Sequence, residues 1–215
     1  MKYVDMHCDT ITCLYKSNGN LLKNNLHVDI EKMLKGECLL QNFAIFTDIA
    51  YEDSKFTLNS IDYYYKQLDL NKDKIKPVYC YKDIDDNYIN ALLTLEEGSV
   101  VDGDLDNLNR YYDKGVRMIT LTWNYPNGIG YPNTMKSDNH STLYDSNDKD
   151  GLTDFGIEYI HRMEDLGIII DVSHLSDKGF YDVLKYSEYP FVASHSNARV
   201  ICKVIKLIFY KSNCF

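Results

Sequence analysis

Histidines and carboxylates stand at the ends of four apolar segments of this sequence. The first segment leads into HCD at positions 7–9, and a later one leads into EEG at positions 96–98. Two further segments end at histidines, His174 and His195. Imidazole nitrogens and carboxylate oxygens are common zinc ligands in proteins. The pattern therefore predicts a metal site assembled from the ends of four strands.

Five side chains are the candidate metal ligands. Alternate residues of an extended segment point to the same side, so His7 and Asp9 can bind the same ion. Glu97, His174 and His195 complete a set of three imidazoles and two carboxylates. Because five ligands exceed the four of one tetrahedral zinc, the set predicts two Zn2+ ions that share a carboxylate.

Each of these signals is weak when it is taken alone. An isolated His-x-Asp is common by chance, and a single histidine is more often hydrogen-bonded in the protein than bound to metal. Glu96 is interpreted as a solvated loop carboxylate, and His27 and His161 as ordinary polar residues. His140 lies in a long polar loop from which it could approach the site. Only the joint pattern at four strand ends favours a metal site.

Apolar runs along the chain predict the strands that position these residues. Such runs, without alternation, are typical of parallel strands that are covered on both faces. In a (β/α) barrel the C-terminal strand ends meet at one rim, where active sites are found. Six strands are predicted, at Lys2–His7, Leu39–Ile49, Ala91–Leu95, Arg117–Thr122, Ile168–Val172 and Phe191–Ser194.

Helical patterns lie between the predicted strands. Thr153 is a candidate N-cap for a helix that ends at Gly167, and Ser176 is a candidate N-cap for the next helix. Leu105, Leu108 and Tyr112 form a third helical stripe. Alternating strands and helices predict an α/β fold with a parallel sheet. The polar segment from residue 125 to residue 150 is predicted to be a long functional loop.

The composition argues against several classes of partner. The 215 residues carry a formal net charge of −9, which argues against binding to nucleic acid or to an anionic membrane. No apolar run approaches membrane-spanning length, and the first residues show no pattern of an export signal. The six cysteines lack paired spacing and are expected to be reduced thiols, so the expected localisation is cytoplasmic.

Several motifs resemble those of the membrane dipeptidase (renal dipeptidase) family of metallopeptidases, especially its soluble bacterial members. The resemblance extends in order from residue 5 to residue 199. The motifs VSHLS and SHSNAR together with the N-terminal His-x-Asp make it specific. The matching stretches are DMHCDT (5–10), EEG (96–98), LTWN (121–124), GLTDFG (151–156), IDVSHLSDKGF (170–180) and SHSNAR (194–199).

The resemblance implies a (β/α)8 TIM barrel with two Zn2+ ions that hydrolyses dipeptides. Carried over to this chain, His7 and Asp9 would bind one zinc, and His174 and His195 the other. Glu97 would bridge the two ions. Two metal ions can hold a hydroxide at neutral pH and polarise the scissile carbonyl, which is the chemistry that peptide hydrolysis needs.

Other residues receive roles from the same resemblance. Trp123 and Asn124 stand where some family members carry a substrate-binding histidine, so they are candidates for substrate binding. Asp171 and Ser173 are candidates to support the metal ligands. The expected partners are a dipeptide substrate and, as an open alternative, a second copy of the chain in a homo-oligomer.

The motif match predicts one barrel domain at residues 1–202, with about six of eight strands, and a tail at 203–215 that is unlike the family. The family's substrate-binding arginine and acid–base aspartate follow the last matching motif, so no catalytic residue is identified in the chain. We therefore expect weak activity or none. Two alternatives stay open: a non-catalytic zinc-binding remnant, and another binuclear amidohydrolase-type enzyme, a class that typically uses a carboxylated lysine as its bridge.

Overall fold

The structure is a computed structural model that describes residues 1–133, 147–198 and 207–208. The chain divides into two compact units. The first contains Met1–Glu96 and Arg110–Met118, and the second contains Glu97–Asn109 and Ile119–Phe215. Among the described residues, no helix is both long enough and apolar enough to cross a membrane.

The first unit is built on a parallel sheet. Its strand order is β1-β2-β4-β5, and β3 pairs with β4. The pairs β1–β2, β2–β4 and β3–β4 are all parallel, and the register places Phe46 opposite Glu96 at the C-terminal ends of two strands. The strands are β1 (Tyr3–Asp5), β2 (Cys38–Phe46), β3 (Ile75–Pro77), β4 (Ile89–Glu96) and β5 (Val116–Thr120), of which the last passes into the second unit.

Helices connect these strands. Aspartate side chains cap two of the helices: Asp29 accepts a hydrogen bond from Lys32 N, and Asp53 accepts one from Phe56 N. The first helix begins at Thr10, directly after the predicted ligands of the HCD motif. The helices are α1 (Thr10–Ser17), α2 (Ile30–Lys35), α3 (Ser54–Leu70) and α4 (Asp106–Asp113), the last of which spans the boundary between the units.

The second unit contains the predicted helices at the predicted positions. They are α5 (Asp154–Leu166) and α6 (Asp177–Tyr186), and they flank β6 (Ile169–Asp171). Thr153 and Ser176 are the N-caps, as predicted, since each side chain accepts a backbone N–H three residues later. Gly167 ends α5 with a φ of 73°, a left-handed conformation that glycine adopts without strain.

One predicted strand is wrong. Phe191–Ser194 forms no strand, and only Val192 makes a bridge, to Asp171. A short parallel pair, β7 (Asn197–Ala198) with β8 (Leu207–Ile208), follows instead. Apart from β8, the predicted tail 203–215 lies outside the described residues, and so does His140 in the segment 134–146.

Candidate metal-binding clusters

His7, Asp9 and Glu96 form a cluster in the first unit. Strand β1 ends two residues before His7, α1 begins one residue after Asp9, and Glu96 is the last residue of β4. His7 Nε2 lies 3.4 Å from Asp9 Oδ1 and 3.3 Å from Glu96 Oε2. One ligand atom from each side chain lies within 4.8 Å of the other two. One imidazole and two carboxylates at this spacing can hold a divalent cation.

The charges of this cluster favour a cation. Burial alone would lower the pKa of His7, but hydrogen bonds and charge interactions with Asp9 and Glu96 outweigh it and raise that pKa to about 10. Without metal, His7 therefore holds a proton between two carboxylates. A bound divalent cation would offset the negative charges of the two carboxylates in place of that proton and would displace it. Asp9 is 49% exposed, so the cluster is open on its side.

Glu96 differs from its interpretation in the sequence. The sequence suggests a solvated loop carboxylate, but Glu96 is 3% exposed and its carboxylate faces His7. A carboxylate buried at this depth needs a cation or several donors to offset its desolvation. Glu96 is therefore a candidate metal ligand that sequence reasoning missed.

Glu97, the predicted bridging ligand, is occupied by hydrogen bonds within its own unit. Its carboxylate accepts the backbone N–H groups of Ser99 and Trp123 at 3.0 and 3.1 Å, and the side-chain amide of Asn127. The side chain is fully buried, and burial raises its pKa. Among the described residues, the groups spaced to hold a metal ion do not include Glu97.

His174 and His195 form a second cluster, in the second unit. Their Nε2 atoms lie 2.9 Å apart, and the two rings are tilted by 59°. Two nitrogens bound to one tetrahedral zinc at about 2.0–2.1 Å would lie about 3.3 Å apart. The pair is therefore close to the spacing of two ligands of one ion.

Hydrogen bonds fix the orientation of both imidazoles. With Asn124 Oδ1 as the acceptor at 2.9 Å, His174 carries its proton on Nδ1. His195 Nδ1 donates to Ser194 Oγ at 2.8 Å, because the Ser194 hydroxyl itself donates to Asp171 Oδ2 at 2.6 Å. The two Nε2 atoms face each other at hydrogen-bond distance, so a proton or a metal ion between them would stabilise the pair.

Asp171 organises the loops that carry this cluster. Its fully buried carboxylate accepts hydrogen bonds from Thr120 Oγ1, Ser173 N and both the backbone N and the hydroxyl of Ser194. Ser173 Oγ in turn accepts the backbone N–H of His195 at 3.2 Å. Asp171 and Ser173 thus hold the loops of the two candidate ligands, as the outer contacts of metal sites do; their support of bound metal stays a prediction.

Trp123 and Asn124, the predicted substrate-binding residues, lie beside His174. Asn124 makes the hydrogen bond to the His174 imidazole, and the Trp123 ring centroid lies 6.4 Å from that of His174. The structure therefore gives Asn124 a role in orienting a candidate ligand. Substrate binding by either residue stays a prediction.

Parallel β/α units with imidazoles and carboxylates at the strand ends are the arrangement of α/β metallohydrolases. The family model of membrane dipeptidases (peptidase family M19) matches residues 1–207, and the chain belongs to this family.

Similar proteins include an uncharacterised dipeptidase of Schizosaccharomyces pombe, 32% identical over 189 residues, which cover 80% of this chain and 44% of that protein. An uncharacterised protein in the pqqA 5' region of Klebsiella pneumoniae is 33% identical over 118 residues, 55% of this chain and 42% of that protein. The chain thus spans less than half of the length of either relative.

Two solved structures resemble the chain closely in fold. One is dipeptidase AC, a family M19 metallopeptidase, with a TM-score of 0.83 at 21% identity over 97% of this chain and 67% of that one. The other is a Rhodobacter sphaeroides metallopeptidase bound to a phosphinate mimic of L-Ala-D-Ala, with a TM-score of 0.83 at 20% identity over 97% of this chain and 68% of that one. The predicted α/β fold of the barrel type is confirmed.

Proposed function

We propose that this chain is the metal-binding part of a zinc dipeptidase that binds two Zn2+ ions. One ion is held at the cluster of His7, Asp9 and Glu96, and the other at the His174–His195 pair. The observation that carries the proposal is the 2.9 Å distance between two Nε2 atoms whose Nδ1 protons are both engaged elsewhere. A proton or a metal ion can lie between two nitrogens at this distance, and paired imidazoles are common zinc ligands.

Glu96 takes the place among the metal ligands for which the sequence suggested Glu97. Glu96 lies in the first cluster, 3.3 Å from His7 Nε2. Both oxygens of Glu97, in contrast, accept hydrogen bonds from the protein. The contact of Glu96 with His7 therefore favours Glu96 over Glu97 as a metal ligand.

The proposed substrates are dipeptides. Membership of the membrane dipeptidase family supports this class, and a solved structure of similar fold binds a mimic of L-Ala-D-Ala. Two zinc ions would activate the attacking water at neutral pH and polarise the scissile carbonyl. The residues of this chain would hold the ions and orient the imidazoles, and Trp123 is proposed to contact the substrate beside His174.

Two alternatives are distinguished by simple outcomes. A non-catalytic zinc-binding protein would bind the ions without turnover. Another amidohydrolase-type enzyme would act on cyclic amides or similar substrates with a carboxylated lysine as bridge. The presence of Glu96 beside His7 favours a glutamate ligand and hence the dipeptidase.

The test uses the full chain loaded with Zn2+ and compares zinc content with hydrolysis of L-Ala-D-Ala. We expect two zinc ions per chain and only weak hydrolysis for the wild type, and loss of one ion in His195→Ala. His161→Ala is the matched control, since His161 is exposed on α5 and contacts only Tyr186 O among the hydrogen bonds described. Wild-type protein that binds no zinc would refute the proposal. Zinc binding without hydrolysis of any dipeptide would identify the non-catalytic alternative.

A further inference from the structure

The segment 123–127 is fastened to Glu97 at both of its ends. Trp123 N donates to Glu97 Oε2 at 3.1 Å, and Asn127 Nδ2 donates to Glu97 Oε1. Asn127 is itself fixed, because its Oδ1 accepts the backbone N–H groups of Ile129 and Gly130 at 2.8 and 3.1 Å. One buried carboxylate therefore holds both ends of a five-residue segment.

This segment carries the residue that orients His174. Asn124 follows directly after Trp123, and its Oδ1 accepts the Nδ1–H of His174 at 2.9 Å. The position of Asn124 thus depends on where Glu97 holds the backbone of Trp123. A displacement of the segment by about 1 Å would break a hydrogen bond of this length.

The backbone at Glu97 adopts a costly conformation. Its φ of 104° and ψ of 94° lie in a region that residues with a Cβ rarely adopt. The side chain is also fully buried as a carboxylate. Strained, buried polar residues persist where the surrounding structure determines them, and they are concentrated at functional sites. Glycine would fit this backbone better, but it would lose the hydrogen bonds that the Glu97 carboxylate accepts.

We propose that Glu97 is a positioning residue for the His174 imidazole and acts through the segment 123–127 and Asn124. By fixing the Asn124 acceptor, Glu97 keeps the His174 proton on Nδ1 and leaves the Nε2 lone pair available to a metal ion. The expected effect of Glu97 on zinc affinity rests on the proposed function. The expected effect on the position of the His174 proton does not, because that proton is present in the metal-free protein.

The test measures the tautomer of His174 by imidazole 15N chemical shifts in metal-free full-length protein, at alkaline pH, with the signal assigned by His174→Ala. Glu97→Gln keeps the shape of the side chain but places an amide N–H group against N–H donors. We expect it to shift His174 away from the Nδ1–H tautomer and to weaken zinc binding about 10- to 100-fold. Asn124→Ala should act in the same way, whereas Asn124→Asp keeps the acceptor oxygen and should retain the tautomer.

Asp182→Asn is the matched control. Asp182 is also a buried carboxylate of the second unit and accepts from Leu152 N and Lys178 Nζ; among the described residues it has no hydrogen bond to the segment 123–127. It should lower stability without changing the His174 shifts. Wild-type shifts in Glu97→Gln, or equal changes in Asp182→Asn, would overturn the proposal. If Glu97→Gln fails to fold, Asn127→Ala removes the hydrogen bond from the side chain of Asn127 to Glu97. Changed 15N shifts of His174 in that variant would support the proposal, and wild-type shifts would overturn it. Failure of wild-type zinc binding would refute the proposed function alone.

Discussion

The Nε2 atoms of His174 and His195 face each other at 2.9 Å, and each ring is oriented by a different acceptor at Nδ1. His174 donates to an amide oxygen, and His195 donates to a serine hydroxyl that is linked to Asp171. Two separate hydrogen-bonded chains thus direct two lone pairs to one point.

Ser194→Ala should weaken zinc binding about 10- to 100-fold, because His195 Nδ1 loses the acceptor that orients its ring. The measurement is zinc competition with a chromophoric chelator. Ser196→Ala is the matched control on the other side of His195, since its hydroxyl lies 3.5 Å from Ser173 Oγ and does not contact the imidazole in the hydrogen bonds described. Equal affinities in the two variants would contradict an orienting role for Ser194.

Asp171→Asn should lower the free energy of unfolding by about 1–3 kcal/mol, because an amide N–H2 replaces an oxygen that accepts buried donors. Thr120 Oγ1 and Ser194 Oγ both donate to Asp171 Oδ2 at 2.6 Å. Urea unfolding of metal-free protein measures the loss without any contribution from zinc. A variant as stable as the wild type would show that Asp171 does not organise these loops.

The stability of the metal-free protein should fall as the pH rises from about 6.5 to about 10. The pKa of His7 is raised from 6.5 to about 10, so the folded state binds a proton that the unfolded chain has already released in this range. The stabilisation is fully present below pH 6.5 and is lost as the pH passes through about 10. Urea unfolding at several pH values in the presence of a chelator measures it.

His7→Gln removes this titration and serves as the test variant, with the exposed His27→Gln as its control. We expect a flatter pH dependence only in His7→Gln. The same slope in both variants would mean that His7 does not hold the proton.

Glu96→Gln and His7→Ala should each reduce the binding of the ion at the first cluster. Both side chains are proposed ligands of that ion. Glu97→Gln should weaken mainly the ion at His174, since Glu97 acts through the segment 123–127. Elemental analysis of the purified variants decides the matter. Loss of the ion at the first cluster in Glu97→Gln, with its retention in Glu96→Gln, would favour Glu97 as the ligand.

The strands of the sheet could be predicted because their apolar runs are buried on both faces, as β4 shows. Burial on both faces also means that the sequence of β4 does not identify the candidate metal-binding carboxylate. A strand without alternation of buried and exposed residues gives no signal for which of Glu96 and Glu97 points towards His7. Only the tertiary structure separates the two roles.

Helix α3 was not predicted, for a different reason. Its buried positions are largely polar or aromatic, including Thr57, Ser60, Tyr64 and Gln67, so the sequence lacks the aliphatic stripe that indicates an amphipathic helix. The wrong strand prediction at Phe191–Ser194 has a different cause. Its apolar residues are present, but only Val192 pairs with β6. Pairing partners are set by the tertiary structure and are not visible in local sequence.

The most direct test of the account is anomalous diffraction at the zinc edge from crystals of the zinc-loaded chain. We expect two peaks. One should lie about 2.0–2.2 Å from ligand atoms of His7, Asp9 and Glu96, and the other at that distance from both Nε2 atoms of His174 and His195. The absence of a peak at the His174–His195 pair, or a peak bound by Glu97 in place of Glu96, would contradict the account.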